Sequence, residues 1–378
     1  MQTPYSTSKP LFWKDRVNSL VHGEQPNPVH VQLIISDWCN HDCSFCAYRM
    51  SGSLSNELFQ IEKGQSRKAR NPKRFLSEKK CYEILDDCVR MDVKSVQFTG
   101  GGEPTVHPKF IKIVRYAQDV GLQTALVTNG SLLTPAIFDD LIRMAWIRVS
   151  VDSSNADHYS EMRGVGRSMF KRVANGIRDF ASYTKENGSK TVVGVGFVVT
   201  PDNWREMKNA ATMYRILGAH NVRLGVMFNP LGVDPYKEHR REIEELSRET
   251  ARDVTTPAFT VINRVPEKLA ELEIGNPLFS ACPIQNFTTY IGADANVYRC
   301  CVYAYNLRGL IGSLKDQSFM DLWKSQAKRA SFNSFDARTC ERCQFTEINS
   351  TVNSAVKAIL RGEDVLPKGK PPMHAEFT

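Results

Sequence analysis

Nowhere in its 378 residues does this chain hold an apolar run approaching the ~18 residues that a membrane-spanning helix needs. Its N-terminus, Met-Gln-Thr-Pro-Tyr-Ser, lacks the basic-then-apolar layout of a secretory signal. Both absences point to the cytosol, where ten cysteines are better explained by metal than by disulfides. The composition excludes a disordered polymer as well: 42% of residues are apolar and 24% charged, as in an ordinary folded protein. The length suffices for one large or two smaller domains. No Ser/His/Asp set and no paired carboxylates are legible, which leaves the cysteines as the residues that carry chemistry.

The first cysteine group follows an apolar run. Val31-Gln-Leu-Ile-Ile35 reads as a strand and leads directly into Ser36-Asp-Trp-Cys39-Asn-His-Asp-Cys43-Ser-Phe-Cys46. A strand that ends in such a loop can converge three thiolates on one centre. Thiolates are the ligands of iron–sulfur clusters. Zinc is the alternative, with His41 as a fourth ligand, although a closed Cys3His site usually draws on two separated ligand pairs. Three protein ligands on a four-iron cluster would leave one iron open to a small molecule.

Strand and helix patterns alternate from there. Ser95–Phe98, Thr124–Thr128, Ile147–Asp152, Thr191–Thr200 and Val222–Phe228 read as strands. Helices are expected from an N-cap at Ser77 and over Pro108–Val120, Pro135–Met144, Met169–Asn187 and Trp204–Leu217. Cys81 and Cys88, seven apart on the first of these, should be buried structural thiols facing inward with Leu85. Six strands joined through helices imply right-handed βαβ units and a parallel sheet. The Val- and Ile-rich strands show little alternation, which predicts burial on both faces.

The division expected is an N-terminal arm over 1–30, a core over 31–235, linker helices over 236–281, a second cysteine region over 282–345 and a tail over 346–378. Phe259–Arg264 reads as a short strand. Ala47–Arg74 is long for a strand-to-helix connection, and such loops tend to be functional or mobile; leaving the cysteine loop directly, it should lie over the site. Its run Lys63-Gly-Gln-Ser-Arg67-Lys68-Ala-Arg70-Asn-Pro-Lys73-Arg74 has six positive charges and no carboxylate, within a chain of net charge +8. Such a run is either a solvated loop or a polyanion contact.

The second cysteine set begins at Cys282. A strand-like Phe287–Tyr290 follows, then a turn at Gly292-Ala-Asp-Ala-Asn, Cys300 and Cys301, and finally Cys340-Glu-Arg-Cys343. A Cys-x2-Cys pair with two further thiols completes a four-coordinate site, of either zinc-ribbon or iron–sulfur type.

The Cys-x3-Cys-x2-Cys loop after the first strand resembles the signature of the radical S-adenosylmethionine (SAM) superfamily. The resemblance implies a partial (β/α)6 TIM-like barrel whose functional residues gather at the carboxyl ends of the strands. It assigns Cys39, Cys43 and Cys46 to a [4Fe–4S] cluster whose open iron chelates SAM, and Phe45 to the adenine. Reduction then cleaves SAM to methionine and a 5′-deoxyadenosyl radical. Thr99-Gly-Gly-Gly-Glu-Pro is similar to the family's GGEP motif, which places Gly101, Gly102, Glu103 and Pro104 against the methionyl group, with Glu103 suited to its ammonium. Asn129, Ser150 and Asp152, at strand ends, would meet the ribose, or else cap the following helices. Arg163 in Tyr159-Ser-Glu-Met-Arg-Gly would reach the SAM carboxylate. Gly194 and Gly196 would admit the adenine face or serve packing.

The second set resembles the twitch region, a shortened relative of the SPASM domain, with a small α+β fold. It implies a second [4Fe–4S] cluster on Cys282, Cys300, Cys340 and Cys343. Ala295 stands where that hairpin usually has glycine, and Cys301 competes with Cys300 as the ligand. No cysteine follows Cys343, so one auxiliary cluster is expected, for electron transfer or support.

These resemblances imply an enzyme, an isomerase or oxidoreductase, fed by an external flavodoxin- or ferredoxin-like reductant. Relatives with a comparable second-cluster region include aminocyclitol dehydrogenases, molybdopterin-precursor cyclases and peptide-modifying enzymes. The opening from Ser36 to Met50 is also similar to phage proteins that isomerise an amino acid carried on thymidine in DNA. Arg67, Lys68, Arg70, Lys73 and Arg74 would then contact a DNA or nucleotide substrate, and the compartment would be a bacterial or phage-infected host cytoplasm. A non-enzymatic iron–sulfur or zinc protein that binds nucleic acid is the alternative of another class.

Overall fold

The structure is a computed structural model; it describes residues 5–50, 53–59, 73–227 and 234–378. One ten-stranded sheet organises the chain. Its strands are β1 (His30–Leu33), β2 (Ser95–Phe98), β3 (Gln123–Thr128), β4 (Trp146–Ser150), β5 (Val192–Val199), β6 (Asn221–Val226), β7 (Thr260–Asn263), β8 (Thr288–Ile291), β9 (Asn296–Tyr298) and β10 (Leu310–Ser313). The order is β10-β9-β8-β1-β2-β3-β4-β5-β6-β7, with β1 to β7 parallel, β8 parallel to β1, and β9 and β10 antiparallel. The expected partial barrel is therefore present, and the second cysteine region is fused to its open edge through β8.

The strands do alternate, contrary to expectation. Val31 and Leu33, Val96 and Phe98, Ile147 and Val149, Val193 and Val195, and Val222 and Leu224 join one apolar core with the surrounding helices. The intervening residues, among them Gln32, Gln97, Arg148, Gly194 and Arg223, line an interior cavity. Both faces are sheltered, but only the helix-facing one is uniformly apolar. The period of 2 was masked because β5 carries glycines where other strands carry polar side chains.

The helix at Glu78–Arg90 starts where expected, with the Ser77 hydroxyl accepting from Lys80 N at 3.2 Å. Cys81, Leu85 and Cys88 are buried in the core, and burial raises both thiol pKa values, as for structural cysteines. The helix expected over Pro135–Met144 shrinks to a 3-10 turn, Pro135–Ile137, and one α-turn, Phe138–Leu141. β4 begins at Trp146, leaving no room for more. The 236–281 segment holds helices at Arg240–Val254 and Val265–Ile274 with β7 between them, and β7 extends the sheet beside β6.

At the opposite end of the barrel from the cysteine loop, the last residues form a floor. Lys9 Nζ donates to the carbonyls of His374 and Phe377 at 2.6 and 2.8 Å, and Trp13 Nε1 to that of Ala375 at 3.1 Å. His30 Nδ1 and Thr288 Oγ1 meet the Thr378 carbonyl.

Candidate metal centres and the barrel interior

The cysteine loop is held from three sides. Gly102 N donates to Ser36 O at 2.8 Å and Glu103 N to Trp38 O at 2.9 Å. Asp42 N and Ser44 N donate to the carbonyls of Arg163 and Met162, both at 2.9 Å. Asp37, fully buried, binds Arg74 Nε at 2.5 Å and the Tyr305 hydroxyl. Burial, tempered by Arg74, raises its pKa to about 6.

Two glycines are obligatory here for lack of space. A Cβ on Gly102 would stand 2.0 Å from the Trp38 carbonyl oxygen. Gly164, at φ +60°, ends the Ala156–Arg163 helix and would bring a Cβ within 2.8 Å of Asp42 O.

The donors around the sulfurs suit bound thiolates. His41 N points at Cys39 Sγ at 3.5 Å and Arg163 Nη1 at Cys43 Sγ at 3.3 Å; Asn129 Nδ2 stands 3.9 Å from Cys39 Sγ. Burial pushes the Cys39 pKa up to about 12 and that of Cys46 to about 11, so a positive metal centre is needed to hold them deprotonated. Both ring nitrogens of His41, the Tyr159 hydroxyl and Arg163 Nε are buried without a hydrogen-bond partner. A group with sulfur acceptors would satisfy such orphans. Among the described residues, no three His, Cys, Asp or Glu side chains converge as one metal ion requires. Zinc needs bonds of ~2.0–2.3 Å, whereas a cluster spreads its ligands over a larger body; the residues fit the cluster.

Three assignments change in the structure. Glu103 does not present its carboxylate to a ligand's ammonium. It is buried and accepts from Thr105 N (3.1 Å), Thr105 Oγ1 (2.7 Å), Thr128 Oγ1 (2.6 Å) and Asn129 N (2.7 Å), which fills a carboxylate's capacity. Asp152 is not open to a ribose: in a left-handed conformation (φ +63°), it pairs with Arg163 and accepts from Val198 N at 2.6 Å. Arg163 is thereby turned onto Cys43, with its guanidinium 5.4 Å from the Phe45 ring centre.

The remaining predicted residues lie as follows. Pro104 opens a 3-10 turn behind the glycine run, in which Gly101 packs against Asp37. Asn129 joins Asn40 Oδ1 at 2.8 Å. Ser150 is half-buried, beside Gly196. A Cβ on Gly194 would meet Asn221 Oδ1 at 2.8 Å. Arg67, Lys68 and Arg70 lie outside the described residues. Lys73 stands 5.9 Å from the Trp38 ring centre, and Arg74 is closed on Asp37.

The second set gathers where β9, the turn before Cys340 and the Thr346–Leu360 helix meet. Cys282 is electrostatically coupled to Cys340 and Cys343, and Cys300 to Cys282 and Cys343. Phe345 N and Asn349 Nδ2 point at Cys343 Sγ at 3.3 and 3.6 Å. The Cys301 sulfur meets Gln344 Oε1 at 3.5 Å, and the residue lines the barrel cavity. Cys301 feels the charge of Cys343 as well.

Ala295 takes the hairpin's left-handed position at φ +60°. Arg299, buried with no carboxylate, donates to Gln285 Oε1 at 2.8 Å and Ser331 Oγ at 2.9 Å, and its charge is drawn by Cys300, Cys282 and Cys340. A buried cation facing thiols fits an anionic cluster. Sequence reading missed Arg299, Asn349 and Asp37, which carry no motif.

Residues 33–213 match the radical SAM superfamily model, and residues 282–344 match SPASM, the iron–sulfur cluster-binding domain. The chain carries a radical SAM domain followed by a SPASM domain. It is 25% identical over 323 residues, 79% of this chain and 81% of the relative, to the tungsten-containing aldehyde ferredoxin oxidoreductase cofactor-modifying protein of Pyrococcus furiosus. It is 26% identical over 285 residues, 71% of this chain and 68% of the relative, to the mycofactocin maturase MftC of Mycolicibacterium smegmatis. The fold matches Streptococcus suis SuiB bound to S-adenosylmethionine, with a TM-score of 0.60 and 16% identity over 89% of this chain and 75% of that one. The cofactors of this radical SAM protein are two [4Fe–4S] clusters and SAM.

The interior of its barrel is a cavity of about 380 Å³. Gln32, Gln97 and Tyr290 line one wall and Arg148, Arg223 and Arg264 another, with Cys301 and Gln344 beside them. Among the described residues, no helix is long and apolar enough to cross a membrane.

Proposed function

We propose that this radical SAM enzyme abstracts a hydrogen atom from a C–H bond of a substrate seated in the barrel cavity, and that the second cluster exchanges an electron with the reacting centre or supports the fold. Cys39, Cys43 and Cys46 would hold the first cluster, and Cys282, Cys300, Cys340 and Cys343 the second. When bound and reduced by an external flavodoxin- or ferredoxin-like donor, the first cluster supplies the electron that cleaves SAM to methionine and a 5′-deoxyadenosyl radical.

The chain's own residues do the rest. Arg163, positioned by Asp152, donates to Cys43 and sets the environment of the first cluster. The glycine run and Asn129 shape the cofactor's seat. The apolar shell outside the barrel and the floor made by the last residues shelter the cavity.

The observation that carries this reading is the position of a polar-lined cavity inside the barrel that bears the cysteine loop at its strand ends. Its volume favours a small molecule or a single residue of a larger one, so dehydrogenation or cyclisation of a small substrate and modification of a peptide side chain are both accommodated. Isomerisation of an aminoacylated thymidine in DNA rests on the opening motif and the basic run at 63–74 alone. The test is anaerobic reconstitution followed by dithionite and SAM. The expected product is 5′-deoxyadenosine; iron-loaded protein that yields none would refute the enzyme reading and leave a binding module.

A further inference from the structure

The barrel wall holds more positive charge than the protein neutralises. Arg148 and Arg223 project inward from β4 and β6 across β5, whose Gly194 and Gly196 leave room for them: a Cβ on Gly196 would already touch the Arg148 stem at 3.4 Å. Neither makes an ion pair among the described residues. Among the described residues, Arg148 has one hydrogen bond, from Nη2 to the Tyr5 hydroxyl at 2.5 Å. The guanidinium centres of Arg148, Arg223 and Arg264 stand 5.5, 5.6 and 5.7 Å from the centre of the Tyr5 ring.

The neighbouring charges do not offset this group. Arg264 pairs with Glu267, and Lys268 with Glu271. Asp152 feels Arg223, but its carboxylate is closed on Arg163 and Val198 N. Among the described cavity-lining residues, Glu347 is the one acidic side chain, against Lys9, Arg148, Arg223, Arg264 and Lys268. Burial, with a smaller contribution from repulsion by Arg223 and Arg264, lowers the Arg148 pKa to about 10, which leaves it charged at neutral pH. Arg148 and Arg223, cations with no carboxylate partner among the described residues, present the forked donors that suit an oxyanion.

We infer that the substrate of this enzyme bears a phosphoryl group and that Arg148 and Arg223, seconded by Arg264, bind it inside the barrel. Phosphate is preferred over carboxylate because guanidiniums converge from three places, two on strands β4 and β6 and one, Arg264, at the N-cap of the helix after β7. A tetrahedral group with three free oxygens can accept from all of them, whereas a planar carboxylate is satisfied by one fork. This assignment rests on the cavity being the substrate chamber of the proposed reaction.

The test is calorimetric binding to the anaerobically reconstituted protein. The probes are thymidine 5′-monophosphate and pyrophosphate, with thymidine and glutarate as controls; a pyrimidine keeps the adenine seat of SAM out of the comparison. The phosphorylated probes should bind at least about tenfold more tightly than either control. Arg148→Gln and Arg223→Gln should each weaken them by about ten- to a hundredfold, with partial rescue in Arg223→Lys.

Equal affinity for thymidine and its monophosphate would overturn the inference, making the arginines a seat for Tyr5. Preference for glutarate would overturn it in favour of a carboxylate substrate. Undiminished phosphate binding in both Gln variants would place the anion elsewhere on the chain. If neither variant folds, the ranking of probes on the unaltered protein decides. Formation of 5′-deoxyadenosine without phosphate binding would sink this site alone; phosphate binding without 5′-deoxyadenosine would sink the radical chemistry alone.

Discussion

Removing the Arg163 charge should expose how much of the first cluster's setting depends on one buried ion pair. Arg163 and Asp152 are 4% and 1% exposed, and among the described residues the aspartate has no other salt-bridge partner. In Arg163→Met the aspartate keeps the Val198 N–H but loses its counter-charge, and breaking one side of such a pair costs about 3–5 kcal/mol. The loss should show as a lower urea midpoint for the apoprotein at pH 7.5, followed by far-UV circular dichroism.

The pH dependence has a definite sign. Burial already raises the Asp152 pKa against Arg163's opposing pull, and without the arginine it rises further. The folded variant then holds a proton that the unfolded chain releases near the ordinary Asp value of ~3.9. Its stability therefore falls as pH rises from there through the folded-state pKa, and acidification narrows the gap to the parent. Asp152→Asn in the same chain should recover a good part of the loss, because it removes the stranded charge. A single-variant cost below about 1 kcal/mol, or a double variant no better than the single, would refute the reasoning.

Three further outcomes are expected. Gly102→Ala drives a methyl into the Trp38 carbonyl and should leave protein that reconstitutes the second cluster but not the first, read from iron content and the absorbance near 400 nm (roughly the thiolate-to-iron region). Cys300→Ser should lose the second cluster's iron while Cys301→Ser retains it, and the reverse result would exchange their roles. Ala295→Gly should raise stability by up to about 1 kcal/mol in denaturant melts, because an L residue at φ +60° is strained and glycine is not; destabilisation would show that the Ala295 methyl's packing outweighs the strain.

The amino-acid sequence by itself determined the parts that are local. Three thiols in eight residues after a strand, a Cys-x2-Cys pair, a glycine run at the next strand end and strand–helix alternation are short-range patterns, and the fold keeps them together because they were already adjacent along the chain. Only the tertiary structure decided what depends on facing. It showed that Glu103 turns inward to four donors instead of outward to a ligand, and that Asp152 serves Arg163. It also set Cys301 against Gln344 in the wall of the barrel cavity. The lumen arginines were the least legible. Arg148 and Arg223 lie 75 positions apart, and each looks like an ordinary charge on a strand; only the register that brings β4, β5 and β6 side by side points both into one chamber and leaves their charge unmatched. Unpaired burial is a property of surroundings, and surroundings are set by contacts that no stretch of sequence contains.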